Sequence, residues 1–210
     1  MRKPGMWIAL LGAIAAAVLS SCATTSLLTS WVDPEGSGKK LGNVLVVGVA
    51  RNAAARRQFE DSFAKVLRSR QIGALTSYVP LPDPAAIDEA AVKPIAQKEK
   101  VTHVLIVRLV DRKTVTSYVP PSPAYYGPGA FPGYYGTWPG YYNRGYATAM
   151  SPGYTYDTEY VNLETNVYDV VTGKLVWSGL TETALGSRVQ EQIEEFIDVI
   201  SGAMIRDKLI

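Results

Sequence analysis

The sequence predicts a mixed α/β domain, in which helices pack on a β-sheet built from the element order β-α-β-α-β-β-β-α. Two short runs rich in β-branched residues, at 43–49 and 101–110, have the pattern of strands buried on both faces. Apolar residues recur at helical spacing after each of several such runs. A long alternating stretch at 154–170 predicts a half-buried strand. The 210 residues suffice for one globular domain.

The first strand, at residues 43–49, is followed by a predicted helix. Asn52 is a suitable N-cap, and Gly73 lies just past the expected end. The helix has an apolar stripe made of Phe59, Phe63, Val66 and Leu67. Its charged residues are expected to form a solvated face: Arg56, Arg57, Lys65, Arg68 and Arg70 with Glu60 and Asp61. A short second strand is predicted at 74–79.

A second helix is predicted between Asp88 and Lys100, with an interruption at Pro94. A third strand follows at 101–110 and continues as a Thr-rich extension to Val119. Right-handed crossovers predict that the first three strands are parallel and lie in the order 2-1-3.

The last two strands form a predicted hairpin that joins the sheet at an edge. In the strand at 154–170, one face carries Val161, Leu163, Thr165 and Val167, and the other carries Tyr156, Tyr160, Asn162, Glu164 and Tyr168. Gly173 supplies the positive φ of a tight turn before a strand with Leu175 and Trp177. Ser187 and Gln190 predict a capping box for a final helix, whose stripe is Val189, Ile193, Phe196, Ile197, Ile200 and Met204.

The start of the chain has the pattern of a secretory signal peptide, with basic residues first, an apolar run at 6–19, and small residues after it. The motif Leu19-Ser20-Ser21-Cys22 resembles the lipobox of bacterial lipoproteins. This resemblance implies that residues 1–21 are removed, that Cys22 carries a diacylglyceryl group, and that its new amine is acylated, for example by palmitate. The alternatives are an ordinary signal peptide or an uncleaved anchor.

A lipidated Cys22 would tether the protein to a membrane without spanning it. Ala23 follows the cysteine, where an aspartate would suggest retention in the inner membrane, so the periplasmic face of the outer membrane is expected. Residues 22–42 are expected to be the lipidated N-terminus and a tether, with a short structured patch at 31–34, and 43–210 the single α/β domain.

Residues 120–153 form a low-complexity insertion with 7 Pro, 7 Gly and 7 Tyr, predicted to be a loop because such a segment cannot bury a core. Tyrosine clusters are common in adaptable interfaces. The candidate contact surface is Tyr125, Tyr126, Tyr134, Tyr135, Trp138, Tyr141 and Tyr142. A simple spacer is the alternative interpretation.

Catalysis is not expected. The single histidine, His103, lies in a predicted buried strand, and one cysteine with one histidine cannot assemble a Cys/His metal site, so no metal or cofactor is predicted. Asp157 and Glu159 share a strand face and are the candidate carboxylates for wall hydrolysis, although a solvated pair is favoured. Loss of Arg2 and Lys3 leaves 19 basic and 19 acidic residues, which gives no field to attract nucleic acid.

The mature chain resembles an uncharacterised family of bacterial outer-membrane lipoproteins with a domain of unknown function and a Tyr/Gly/Pro-rich loop. The resemblance lies in Ser30 to Pro34, Val44 to Val49, Arg56 to Asp61, Val104 to Leu109 and Tyr168 to Trp177. It implies a location and a fold but no reaction.

The leading hypothesis from sequence is therefore a non-enzymatic binding or scaffold lipoprotein of the cell envelope. Its expected partners are the membrane, through the lipid anchor, and an unknown envelope protein or peptidoglycan. The alternatives are a cell-wall hydrolase and a subunit of an export or assembly complex.

Overall fold

The computed structural model describes residues 24–34, 40–120, 137–149 and 152–210. The elements in chain order are β1 (Thr25–Val32), β2 (Asn43–Val49), α1 (Ala53–Ser69), β3 (Ala74–Thr76), a 3-10 turn (Pro84–Ala86), α2 (Glu89–Glu99), β4 (Val101–Val119), α3 (Trp138–Ala149), β5 (Tyr154–Asp169), β6 (Leu175–Ala184) and α4 (Val189–Arg206). The chain divides into two units, one of residues up to 112 together with 160–210, the other of residues 113–159.

The six strands form one mixed sheet in the order β1-β6-β5-β4-β2-β3. Strand β2 pairs in parallel with β3 and with β4, whereas β6 pairs antiparallel with β5 and with β1. The predicted α/β class and the 2-1-3 order of the three parallel strands are therefore confirmed. The antiparallel hairpin of the last two strands is also confirmed, but β6 is not at the edge, because β1 pairs with it.

Both faces of the central strand β2 are covered, as its apolar run predicts. Val44 and Val46 pack under α1 and α4 on one face, and Leu45 and Val47 pack against α2 on the other. The first of these two cores is the larger and contains Phe63, Leu67, Leu105, Val167, Trp177, Phe196 and Ile200. Helices α1 and α4 thus form one layer of the first unit, and α2 forms part of the opposite layer.

Trp177 on β6 is fully buried in the larger core. Its indole Nε1–H donates a hydrogen bond of 2.8 Å to Asp207 Oδ2, which satisfies its polar group. Gly179 on the same strand lies so close to the ring that a Cβ atom would sit 2.3 Å from it. A glycine is therefore required at this position for the tryptophan to fit.

Several local signals are confirmed. Asn52 caps α1, where its Oδ1 accepts from the backbone N–H of Ala54 at 2.8 Å and of Ala55 at 3.1 Å. Gly173 has φ +66° in the turn before β6. Pro94 lies inside α2 and does not interrupt it.

The expected tether is wrong for residues 25–30, which form the edge strand β1 together with residues 31 and 32 of the expected structured patch. The register of β1 against β6 shifts between Leu27 and Thr29, so Leu28 is an extra residue at a bulge. Because the bulge breaks the alternation of period two, the segment does not have the sequence pattern of a strand.

The expected solvated face of α1 is wrong for Arg56 and Glu60, whose side chains are 2% and 0% exposed. They form a buried ion pair with a 2.9 Å contact. Their spacing of four residues is typical of a surface pair on a helix. Here the segment after β3 covers that turn of the helix, which spacing alone cannot reveal.

The predicted loop at 120–153 is wrong for residues 138–149, which form α3. Thr137 lies at the start of this helix: its carbonyl accepts from Tyr141 N–H at 3.1 Å, and its Oγ1 accepts from Gly140 N–H at 3.4 Å. Pro139 is in the first turn, where a missing N–H costs little. Low-complexity composition therefore hid a capped helix.

The predicted capping box of the last helix is also wrong. Arg188 is at the N-cap of α4 and makes no side-chain capping bond. Gln190 instead bonds to Gln58 and, at 2.6 Å, to Glu194. The predicted strand at 74–79 is shorter, ending at Thr76, because the chain then turns to reach the Arg56 side chain.

Candidate docking surface on the sheet

The side of β5, β6 and β1 that faces away from the larger core carries mostly polar residues. Cross-strand register places Trp31, Ser178 and Asn166 in one row on this side. A second row contains Thr29, Leu180 and Glu164, and a third contains Ser26, Glu182 and Asn162. We call these nine residues, together with Arg108 and Tyr168, the polar face.

Glu164 and Arg108 join β5 to β4 at the polar face. The guanidinium Nη2 lies 2.6 Å from Glu164 Oε2, and Nε donates to the same oxygen at 2.7 Å. Both side chains retain contact with solvent, so the pair adds little stability. It does fix the positions of two charges beside the amides of the same strand.

The two amides of the polar face have unsatisfied acceptors. The Oδ1 atoms of Asn162 and Asn166 are both shielded from solvent and accept no hydrogen bond within the described part of the chain. A buried acceptor without a donor costs roughly 1–3 kcal/mol. Such atoms are rare in folded proteins, and a hydrogen-bond donor that reached them would be stabilising.

Apolar surface borders the polar face on two sides. Trp31 is 47% exposed, which is unusual for an indole ring on a sheet. On the other side, a groove of about 340 Å³ lies between α2 and the sheet. Its apolar wall is formed by Ile87, Val92, Val104, Ile106, Tyr168 and Val170. Exposed aromatic and aliphatic side chains around polar groups are the composition of a protein-binding surface.

Helix α3, in the second unit, has an exposed aromatic stripe. Trp138, Tyr142 and Tyr146 recur every four residues and are 81%, 61% and 54% exposed, with Tyr141 (53%) beside them. The rings of Tyr142 and Tyr146 stack with centroids 6.1 Å apart. Three of the predicted contact residues, Trp138, Tyr141 and Tyr142, thus lie on one helix.

The remaining sequence-predicted residues fall outside the described part of the chain. These are Tyr125, Tyr126, Tyr134 and Tyr135 of the contact surface, and Leu19, Ser20, Ser21 and Cys22 of the lipobox. Their assignments stay predictions.

The candidate catalytic side chains lie on two strands, His103 on β4 and the two carboxylates Asp157 and Glu159 on β5. His103 is half-buried on β4, and its Nδ1 is 2.8 Å from Thr102 Oγ1. Burial lowers the pKa of His103, and the negative charge of Asp169 opposes that shift. Asp157 and Glu159 are exposed on β5, where Asp157 accepts a 2.6 Å hydrogen bond from Thr116 Oγ1. Both carboxylates are thus in contact with solvent, as expected for the solvated pair.

Within residues 24–34, 40–120, 137–149 and 152–210, no three histidine, cysteine or carboxylate side chains are grouped as metal ligands. Helices with the length and hydropathy needed to cross a bilayer were also not found there.

Sequence reasoning found the side of β5 that carries Tyr160, Asn162, Glu164 and Tyr168, but it missed β1. Trp31 therefore was not assigned to this surface, although it was expected to be structured. The alternation of β5 gives the side on which each amide lies. It cannot show whether a neighbour satisfies the amide, because that depends on the register of β6.

No protein-family model and no curated protein matches this sequence. Solved structures with a similar fold include the PelC dodecamer from Paraburkholderia phytofirmans, at 13% identity and a TM-score of 0.45 over 89% of this chain and 99% of that chain. Lipoprotein GNA1162 from Neisseria meningitidis has 11% identity and a TM-score of 0.40 over 79% and 99% of the two chains.

A PDZ domain protein from Parabacteroides distasonis is a weaker match, at 12% identity and a TM-score of 0.36 over 91% of this chain and 39% of that chain. One of these neighbours is described as a lipoprotein, the class that the sequence predicts for this chain. At TM-scores this low, none of the three likenesses carries an inference about function.

Proposed function

We propose that this chain is a non-enzymatic binding or scaffold lipoprotein of the cell envelope, anchored through Cys22 to the periplasmic face of the outer membrane. Its polar face would dock a protein partner. The observation that carries the proposal is the pair of shielded, unsatisfied amide oxygens on Asn162 and Asn166 between an exposed tryptophan and an apolar groove.

The chemistry of this face defines the partner. Two acceptors without donors favour a surface that presents N–H or O–H groups, and Trp31 and the groove favour apolar side chains beside them. A protein surface supplies both together. The glycan of peptidoglycan would satisfy the amides and stack on Trp31, but it would leave the aliphatic groove unfilled.

The aromatic stripe of α3 is the second contact surface in this proposal. Tyrosine and tryptophan provide large contact area at low entropic cost, because each side chain has few rotatable bonds. The stripe carries no charge of its own, whereas the polar face contains an ion pair. The two surfaces therefore suit different parts of a partner or two partners.

Site-specific photo-crosslinking in intact cells tests the proposal. A photoreactive residue replaces Trp31 on the polar face or Tyr142 on the stripe, and captured molecules are identified by mass spectrometry. Ile205 on α4 is the matched control, because it is 42% exposed and belongs to neither surface. We expect a discrete protein adduct at Trp31 and none at Ile205.

Substitutions of the two amides provide a second, quantitative test. Asn162→Leu and Asn166→Leu remove acceptors that have no donor among the described residues, so the stability of the fold should be unchanged or slightly higher. Capture through Trp31 should fall several-fold in each variant. Equal capture at Trp31 and Ile205, or full capture by both amide variants, would contradict docking at this face.

The alternatives give different results in the same experiments. Glycan adducts at Trp31 would support a wall-binding role, and turnover of purified sacculi that is lost in a double variant Asp157→Asn, Glu159→Gln would support a hydrolase. Stable rings of this chain on a sizing column would support the subunit of an export or assembly complex.

A further inference from the structure

Thr24, the first described residue of the chain, is hydrogen-bonded to the first unit. Its backbone N–H donates to Glu195 Oε1 at 2.6 Å, and its hydroxyl donates to the other oxygen of the same carboxylate. Thr25 N–H donates to Glu195 Oε1 at 3.1 Å, and the Thr24 carbonyl accepts from Ala184 N–H at 2.8 Å. Four hydrogen bonds therefore hold the start of β1.

The charge state of Glu195 supports this contact at neutral pH. Burial raises the pKa of this carboxyl, but the hydrogen bonds from Thr24 and Thr25 lower it by more, and the net pKa is below its usual value. The carboxylate form accepts all three donors. Thr24 is thus held by a charged partner on the first half of α4.

Thr24 lies two residues after Cys22. Two residues span at most about 7 Å even when fully extended. We infer that the end of the first unit formed by Thr24, residues 186–188 and the first turns of α4 lies against the phospholipid surface, with no spacer between anchor and domain. This inference rests on the proposed lipidation of Cys22, and it replaces the expected tether.

Strand β6 connects this end of the first unit to the opposite end. Ala184 ends β6 beside Thr24, and the turn at 170–174 lies at the other end of that strand. Ten residues at about 3.4 Å each place this turn roughly 30 Å from Thr24 along the strand. On the polar face, the row of Ser26 is nearest to Thr24 and the row of Trp31 is farthest from it.

Charge does not draw this end to the lipid. The cavity of about 480 Å³ at Thr24 is lined by Glu191, Glu194, Glu195 and Asp198, with Arg188 as the one basic residue of the lining. Arg188 is already paired with Glu191 at 2.7 Å. Because anionic headgroups repel such a surface, the short covalent connection alone would hold it there, and added salt, which screens the repulsion, should not reduce the proximity.

Fluorescence quenching by spin-labelled headgroups tests the inference on the full lipidated chain. The protein is reconstituted into vesicles of phosphatidylethanolamine with a minority of phosphatidylglycerol. A dye is attached to Ser187→Cys at the anchored end or to Val171→Cys in the distant turn, both of which are exposed positions. We expect several-fold stronger quenching at position 187 than at position 171.

Two further variants separate the effect of the Glu195 hydrogen bonds from the effect of the short chain between Cys22 and Thr24. A flexible Gly/Ser insertion between Ala23 and Thr24 should make the two positions nearly equal. Glu195→Ala should reduce the difference because it frees Thr24, whereas the neighbouring Glu194→Ala should not, since Glu194 bonds only to Gln190 among the contacts at this end.

The outcomes distinguish this inference from the function on which it rests. If Cys22 carries no lipid and the protein does not float with vesicles, the proposed lipoprotein class fails. If the protein floats with vesicles but positions 187 and 171 are quenched equally, the lipoprotein class stands and the spacer-free arrangement is overturned. Unequal quenching that persists after the Gly/Ser insertion would also overturn it.

Discussion

Two polar clusters in the first unit differ in how their atoms are satisfied. The Arg56 guanidinium donates to Glu60 Oε1 at 2.9 Å, to Ser77 Oγ at 2.7 Å and to two backbone carbonyls. Glu60 also accepts from the backbone N–H groups of Gly48 and Tyr78, both at 3.0 Å. In contrast, Asn162 Oδ1 and Asn166 Oδ1 on the polar face accept nothing within the described residues.

The difference separates a cluster that is satisfied within the protein from one in which two acceptors have no donor among the described residues. The Arg56 cluster connects α1, the end of β2 and the segment after β3, and every charge in it has a partner inside the protein. A complete network of this kind fixes a unique arrangement. The polar face has the opposite property, because two of its buried acceptors have no donor among the described residues. Under the proposed function, stability should therefore depend on the first cluster and binding on the second.

Glu60→Ala should produce the largest loss of stability. The change leaves the Arg56 charge buried without its partner, which costs about 3–5 kcal/mol for a buried pair. Urea unfolding followed by tryptophan fluorescence measures it. Asp61→Ala is the matched control. The Asp61 carboxylate is exposed, and its hydrogen bond within the described part of the chain comes from the Tyr78 hydroxyl, at 2.8 Å. This control should lose less than about 1 kcal/mol, and equal losses would remove the distinction.

Two tryptophans on opposite sides of neighbouring strands sharpen the comparison. Trp177→Phe removes the part-buried hydrogen bond to Asp207 and leaves space beside the smaller ring, and it should destabilise the protein by about 1–3 kcal/mol. Trp31→Phe should change stability by no more than about 0.5 kcal/mol, since the ring is exposed. Thermal and urea unfolding of both variants provide the measurement. A Trp31 variant that unfolds as readily as the Trp177 variant would mean that the polar face belongs to the core.

The sequence predicted the parts of this fold that depend on local patterns. Val44 to Val47 alternate between two cores within one apolar run. The Asn52 side chain caps α1, and Gly173 adopts the positive φ that the turn needs. The order of the three parallel strands follows from the handedness of crossovers, which does not depend on the individual side chains.

The features that sequence reasoning missed depend on contacts between distant segments. Strand β1 contains a bulge and has only one partner strand, so its pattern resembles a polar linker. Arg56 is buried because residues 77–82 fold over it, and the pattern of residues within α1 cannot predict a contact with that later segment. The lack of a donor at Asn166 likewise arises from the register of β5 with β6, which pairs it with Ser178.

His103 provides the smallest expected effect, a pH dependence on the side of the sheet away from the polar face. Burial lowers the pKa of its imidazole below the ordinary 6.5, against the opposing charge of Asp169. The unfolded chain therefore binds this proton more readily than the folded chain does. The stability contributed by neutral His103 is complete above about pH 6.5 and is lost as pH falls through the lowered pKa of the folded state.

His103→Gln should remove this pH dependence. As pH falls, the unfolding free energy of the wild type should decrease relative to that of the variant, by less than in the two preceding comparisons. Because the chain has a single histidine, NMR titration of the imidazole reports its pKa without assignment ambiguity. A measured pKa above 6.5 would mean that the charge of Asp169 outweighs burial. In that case acid would stabilise the fold at this position, and the half-buried histidine would resemble the satisfied Arg56 cluster rather than an isolated polar group.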